Sequence, residues 1–327
     1  MTETIKEKTQ GARVNKAWYF PETGNPDVLT ETTLPFPEPG EGQLLIRVIA
    51  SGFNPVDTKI RAGLAPIAAD NHVPGCDLCG EVIGIGPGCQ GFAEGDVVYG
   101  CAGGVKGSSG TLCQYIAVDA ELVARAPSTL SPEQAAALPL ISITAFEALN
   151  RLNVSEGESL LILGGSGGVG QMALQLAQLR GAVVTATAGT GVRRDMVASF
   201  GATACAHDTD LEGFACVLDT HGGESFQRGL SAAATGGRLA TVNARNTYDL
   251  ALAHAKGLTI HAVFMLLPLL TGRGRSEHGR FLHWLAKAVD DGQIAAPETE
   301  VQPASAIAAV HRRYEESGLN TKVVFTF

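Results

Sequence analysis

The chain is predicted to be an α/β protein, a doubly wound parallel sheet joined to an irregular β-rich barrel, on three observations. Residues 16 to 126 carry short β-like runs punctuated by Gly and Pro. Beyond Ser131, long apolar helical stretches alternate with short buried strands, and a glycine-rich turn joins one of these strands to one of the helices. Strands separated by helices of crossover length form a parallel sheet covered on both faces. With 327 residues, 45% of them hydrophobic, and 40 glycines, the chain is long enough for two domains with a sizeable core and many tight turns.

In chain order, Met1 to Lys16 is charged and polar, lacks the apolar stretch of a signal peptide, and reads as a tail. Leu44 to Ala50, Gly80 to Gly86, Asp96 to Tyr99 and Gln114 to Val118 read as strands of the barrel. Ser131-Pro132-Glu133 is a helix N-cap with Pro at the first helical position. Leu160 to Leu163, Val183 to Thr187, Cys216 to Asp219, Arg238 to Val242 and Thr259 to Phe264 read as parallel strands. From Gly279 a further helix pair leads to Thr321 to Phe327, an alternating strand without a sheet of its own, which is expected to return to the first domain. The organisation expected is a tail over 1–16, a barrel domain from 17–132 and 283–327, and a nucleotide-type domain over 133–282. No repeat or low-complexity segment breaks this pattern.

A net charge of −9 with no basic stripe argues against a nucleic-acid partner. No apolar run reaches the roughly 18 residues of a membrane span; the nearest, Ile260 to Leu270, is broken by His261 and Pro268. Seven cysteines, an odd number, with no secretion signal, imply reduced thiols and a cytoplasmic setting.

The strongest signal is Ser159 to Leu163 followed by Gly164-Gly165-Ser166-Gly167-Gly168-Val169-Gly170 and the helical run Gln171 to Arg180. Gly165, Gly167 and Gly170 satisfy G-x-G-x-x-G: a tight turn, close backbone approach to a pyrophosphate, and close packing of helix on strand. The helix N-terminus then faces the phosphates, which makes this half a Rossmann domain. Gly164-x-Ser166-x-Gly168 also fits a hydrolase nucleophile elbow, with Asp219 and His254 or His261 following in order. That reading gives no reason for the glycines at 165, 167 and 170.

An NAD-preferring site places a carboxylate at the end of the second strand to hold the ribose 2′-hydroxyl. Here Ala188-Gly189-Thr190 stand after Val183 to Thr187, and Arg193 and Arg194 follow on the next helix. A guanidinium suits the 2′-phosphate of NADPH; the alternative is a solvated helix face.

The blocks Asn54-Pro55-Val56-Asp57-Thr58-Lys59-Ile60-Arg61-Ala62-Gly63, Val73-Pro74-Gly75-Cys76-Asp77, Gly95-Asp96-Val97-Val98, Leu138-Pro139-Leu140 and Thr144-Ala145-Phe146-Glu147-Ala148-Leu149, with the glycine turn, resemble the medium-chain dehydrogenase/reductase superfamily, in particular its quinone oxidoreductase or zeta-crystallin-like branch. The resemblance runs from about Lys16 to Phe327. It implies a GroES-like barrel completed by the C-terminal strand, a Rossmann domain, a cofactor in the cleft between them, and a homodimer paired through edge strands such as Thr259 to Phe264.

Zinc-dependent alcohol dehydrogenases share this fold, but their ligand positions are changed. They fall on Asn54 in Gly52-Phe53-Asn54-Pro55-Val56-Asp57, on Gly75-Cys76-Asp77, and on Leu140-Ile141-Ser142-Ile143. Only Cys76 remains, whereas catalytic zinc takes three protein ligands and a water. Of the structural zinc lobe only Cys101 and Cys113 are left, and Cys76-x-x-Cys79 has no second pair. No metal is expected.

The resemblance thus implies NADPH-dependent hydride transfer to a small-molecule quinone or α,β-unsaturated carbonyl. An alcohol dehydrogenase, an enoyl-thioester reductase and a non-catalytic NADPH-binding protein are the alternatives. Asn54 matches the family's asparagine near the nicotinamide, a donor to the substrate oxygen or else a turn residue before Pro55. Lys59 stands where many members have Tyr, as a replacement donor or a solvated side chain, with Asp57 paired to Lys59 or Arg61. Thr144 touches the nicotinamide side or is a helix hydroxyl. Asn243, Phe264, Asn320 and Lys322 are expected at the cofactor, and Asp208 replaces a tyrosine that would contact the 2′-phosphate. The eight histidines have no paired spacing and are given no role. Met265 to Leu270 is either core or interface, or a lid over an apolar substrate.

Overall fold

In the computed structural model, which describes residues 14–327, two sheets carry the molecule. The hairpin β1 (Asn15–Tyr19) and β2 (Thr30–Leu34) leads into β3 (Gln43–Gly52), then α1 (Pro55–Arg61), β4 (Asp77–Ile85), β5 (Val97–Cys101), β6 (Tyr115–Asp119) and β7 (Val123–Arg125). Helices α2 (Pro132–Ala136) and α3 (Pro139–Arg151) lead out of this half. Ser131 caps α2 reciprocally with Gln134, since each side chain accepts from the other residue's backbone N–H, the capping box that the Ser-Pro-Glu-Gln sequence encodes.

The second sheet is built from β8 (Ser159–Leu163), α4 (Gly168–Leu179), β9 (Val183–Thr187), α5 (Gly191–Ser199), β10 (Thr203–Cys205), β11 (Phe214–Asp219), α6 (Glu224–Ala232), β12 (Ala233–Thr241), α7 (Ala251–Lys256) and β13 (Thr259–Ala262). Its order is β10-β9-β8-β11-β12-β13, and all pairings are parallel. The order reverses between β8 and β11, so the crevice at their carboxyl ends is where a Rossmann sheet binds its ligand. β8 can sit at the centre because Leu160 to Leu163 are buried on both faces. β13 closes the sheet as an edge strand.

The chain then runs through α8 (Leu267–Thr271), α9 (Arg275–Asp290), β14 (Thr299–Pro303), α10 (Ile307–Ser317) and β15 (Lys322–Thr326). β15 returns to pair antiparallel with β3, Val324 opposite Gly52, and the barrel sheet runs β14-β15-β3-β4-β5-β7 with β6 on β3. This return sets Lys322 next to the start of α1, 268 residues away in sequence. Among the described residues no helix is long and apolar enough to cross a membrane.

Three expectations need correction. Residues 1–13 of the expected tail lie outside the described residues, but Asn15 and Lys16 belong to β1; the Asn15 amide exchanges two hydrogen bonds with the Tyr115 backbone, which ties this end down. The boundary expected between 282 and 283 falls inside α9, a continuous helix that packs on the barrel so closely that a Cβ at Gly279 would meet the Glu121 carbonyl. Strands β1, β2, β7, β10 and β14 were not foreseen: β7 and β10 have three residues each, and β14 is an edge strand ending in Pro303.

Candidate active site

The glycine turn leaves β8 at Leu163 and enters α4 with Gly167 as N-cap. Its glycines differ in what demands them. Gly164 has φ +92°, the left-handed region. A Cβ at Gly165 would lie 2.6 Å from the Ala186 side chain, and one at Gly170 would overlap the Gly164 carbonyl, so the protein itself excludes side chains there. At Gly167 the nearest atom would be the Gly164 carbonyl oxygen at 3.6 Å, and its φ of −75° suits any residue. Packing imposes no glycine at 167, which leaves the close approach expected of a pyrophosphate as the reason the motif offers for one. Ser166, Gly168 and Val169 complete the cradle, and Gln171 anchors it by donating to the Ser166 carbonyl (2.9 Å). The hydrolase elbow has no matching geometry: Asp219 accepts from the His221 and Gly222 backbone and from Thr241, not from an imidazole.

Beyond the turn, cationic groups gather at the tip of β9. Arg193 donates to the Asn320 side chain, joining two of the predicted cofactor residues across 127 positions. Arg194 donates to the Gly189 carbonyl (2.7 Å). His207 lies against Thr187 and Gly189, and His221 covers Gly164. Neither histidine was foreseen as functional, because no spacing rule links a residue after β10 or β11 to the turn after β8. By contrast His278 pairs with Glu147 (3.0 Å), and burial holds His311 down to about 3, a neutral structural imidazole.

Lys59 of α1 reaches out of the barrel to Asn243, the residue following β12 by two, with Nζ donating to Oδ1 at 3.0 Å. Asn243 in turn donates to the His221 carbonyl, so Lys59 is tied to the glycine turn through two residues. Burial, then the charge of Arg245, lowers the Lys59 pKa below the usual lysine value.

Beneath α1 lies a buried polar cluster. Asn54, fully buried, donates to Asp77 Oδ2 (2.8 Å) and accepts from Lys322 at Oδ1. Lys322, whose side chain is 8% exposed, also donates to the Phe53 carbonyl (2.6 Å) and lies 3.8 Å from Asp77. Asp77 accepts from the Leu140 backbone (2.9 Å), and Asp57 from the Asn54 backbone (2.8 Å). Burial pushes Asp57 up to about 7 and Asp77 up to about 6, with the Lys322 charge opposing both shifts, while burial lowers Lys322 itself.

Several site expectations change here. The Asn54 side chain is fully buried, with one amide proton given to Asp77 and its oxygen accepting from Lys322, so it stands within the cluster rather than at the surface of the cleft. Lys322 supports the cluster from within rather than facing the cofactor turn. Asp57 pairs with neither Lys59 nor Arg61, since Arg61 turns to Glu315 and the Gly24 carbonyl. The Thr144 hydroxyl donates to the Leu140 carbonyl (2.6 Å) of its own helix. Phe264 is 43% exposed and lines a groove of about 730 Å³ on the outer face of α3 with Phe146, Leu267 and Pro268. Met265, Leu266 and Leu269 are buried, so that segment is mainly core.

The cluster does not suit zinc. Its centre holds an ammonium and an amide, and the hydrogen bond that the Cys76 thiol donates to Cys101, then burial, raises the Cys76 pKa, whereas zinc binds thiolate. Among the described residues no group of three or more His, Cys, Asp or Glu is placed to hold a metal ion.

A Rossmann sheet with an open glycine in the turn after β8, set against a GroES-like barrel, is the architecture of the alcohol dehydrogenase superfamily. The alcohol dehydrogenase GroES-like domain family matches residues 40–128 and the zinc-binding dehydrogenase family residues 168–273. The solved structure of an alcohol dehydrogenase superfamily protein from Novosphingobium aromaticivorans superposes with a TM-score of 0.90 at 35% identity, covering 96% of this chain and 100% of that one. The chain belongs to the alcohol dehydrogenase superfamily. It is similar to the 2-methylene-furan-3-one reductase of Solanum lycopersicum, 41% identical over 198 residues, 57% of this chain. It is also similar to the chloroplastic NADPH-dependent alkenal/one oxidoreductase of Arabidopsis thaliana, 39% identical over 196 residues, again 57% of this chain. The chain spans about half the length of these two relatives, 50% of each.

Proposed function

We propose that this protein is an NADPH-dependent oxidoreductase that reduces α,β-unsaturated carbonyls or quinones without zinc. The observation that carries the reading is the Lys322–Asn54–Asp77 cluster, which sets a buried ammonium against Asn54, a position where the resemblance puts a zinc ligand in zinc-using members of the fold. A Lewis acid is needed most where charge collects on one alkoxide oxygen; conjugate reduction spreads that charge over an enolate or hydroquinone. Residues 164 to 170 would hold the pyrophosphate of NADPH, and Arg193 with Asn320 would meet its 2′-phosphate. When bound, the nicotinamide supplies the hydride. Lys59 supplies the protein's share of the chemistry: its ammonium has donors left after Asn243, stands on the cleft side of α1, and its lowered pKa suits it to donate to an enolate oxygen. The names of the two plant relatives support the acceptor class and the choice of NADPH.

The zinc-independent half is checked by NADPH oxidation with an alkenal acceptor before and after exhaustive dialysis against a zinc chelator. The rate is expected to be unchanged; loss of activity that added zinc restores contradicts the reading.

A further inference from the structure

The protein carries a net charge of −9, yet at the corner beyond the glycine turn three arginines stand outside any ion pair of the described residues. Arg193, Arg194 and Arg228 give their guanidinium protons to the Asn320 amide, the Gly189 carbonyl and the Thr209 carbonyl, all neutral oxygens. Among the described residues none of the three lies in an ion pair. His207 and His221 face each other across the same corner, ring centroids 6.3 Å apart. Guanidinium groups gathered without ion-pair partners suit an anion.

His207 sits at the middle of this group. Its Nδ1 is 3.1 Å from the Thr187 hydroxyl, whose oxygen already accepts from the Gly164 backbone N–H at 3.1 Å. The hydroxyl proton is therefore free to go to Nδ1, which leaves a proton on Nε2. That nitrogen lies over Gly189, 3.6 Å from where a Cβ would stand, at the tip of β9 where a carboxylate would serve NAD. We propose that His207 reads the 2′-phosphate of NADPH, taking up a proton from solvent as the cofactor binds, so that the preference for NADPH over NADH depends on pH. The inference rests on the NADPH reading above and adds to it a residue and a titration. The charged groups around His207 are Arg193 on α5, Arg228 on α6, His221 after β11, and its neighbour Asp208. Burial, then His221, Arg228 and Arg193, lower its pKa from the ordinary imidazole value, and Asp208 opposes them. The imidazole is thus neutral before binding, and a phosphate dianion reverses the balance. The sign follows: NADPH affinity is highest at low pH and falls, by up to about tenfold per pH unit for one proton, as pH rises from the free toward the bound pKa.

The test is calorimetric titration of wild type and His207→Gln with NADPH and with NADH, from pH 6 to 9 and in buffers of different ionisation enthalpy. The 2′-phosphate itself titrates near pH 6 and does so equally against both proteins, so their difference isolates the imidazole. Wild type should take up protons on binding NADPH but not NADH. His207→Gln should lose most of that uptake, bind NADPH about tenfold more weakly near pH 6.5 with NADH unchanged, and converge with wild type at high pH. Absence of proton uptake by wild type, or an NADPH preference and pH profile untouched by His207→Gln, overturns the inference and leaves the NADPH reading standing. Equal affinity of wild type for NADPH and NADH at every pH removes both.

Discussion

Lys322→Met is expected to lower the free energy of unfolding by about 3–5 kcal/mol, the cost of removing one partner from a buried charge pair. The methionine fills the space, but Asn54 Oδ1 and the Phe53 carbonyl lose their donor, and buried Asp77 loses the cation 3.8 Å from its Oδ2. Asp77, already shifted up to about 6 by burial, has only protonation to relieve it. Adding Asp77→Asn to Lys322→Met should recover much of the loss, because the uncompensated carboxylate is gone. Chemical denaturation of the four proteins of this cycle reads the coupling directly. A loss below about 1 kcal/mol for Lys322→Met, the range of a surface pair, shows that the cluster is not an ionic unit.

The second large effect separates folding from binding. Gly167→Ala meets no protein atom closer than 3.6 Å and needs no unusual backbone, so its stability should stay within about 1 kcal/mol of wild type, the range of an N-cap change. Its Cβ nevertheless stands where a pyrophosphate must approach the backbone. NADPH affinity is expected to fall about 30- to 100-fold, or about 2–3 kcal/mol. Gly170→Ala provides the contrast: its Cβ would overlap the Gly164 carbonyl, so folding is lost along with binding. Fluorescence titration of NADPH beside thermal unfolding checks both. A Gly167→Ala protein that binds NADPH like wild type removes the phosphate from this turn.

The sequence made legible whatever depends on neighbours along the chain. The turn between β8 and α4 and the Ser131 cap are local signals with local causes, whereas the alternation expected of β15 is absent, Val323, Val324 and Phe325 all being buried. Lys59 and Asn243, chosen from separate motifs, do meet, as do Arg193 and Asn320. What stayed hidden was set by contacts between distant segments. Lys322 enters the Asn54 cluster only because β15 pairs with β3, and no pattern in Thr321 to Phe327 says which way its long side chain turns. Asp57 has Lys59 and Arg61 within four residues, so a helix-surface pair was the natural reading; its burial against Cys76 came from the segment entering β4. His207 acquires its position from the parallel pairing of the three-residue β10 with β9, too short a strand to announce itself.

Under the proposed function, hydride goes to carbon conjugated with a carbonyl. Incubating the protein with NADPH deuterated at the transferable C4 position and an α,β-unsaturated ketone, then locating the label by NMR, tests it most directly. The account predicts deuterium on the β-carbon of a saturated ketone. Deuterium on the carbonyl carbon of an allylic alcohol, or an unlabelled and unreacted ketone with NADPH bound, contradicts it.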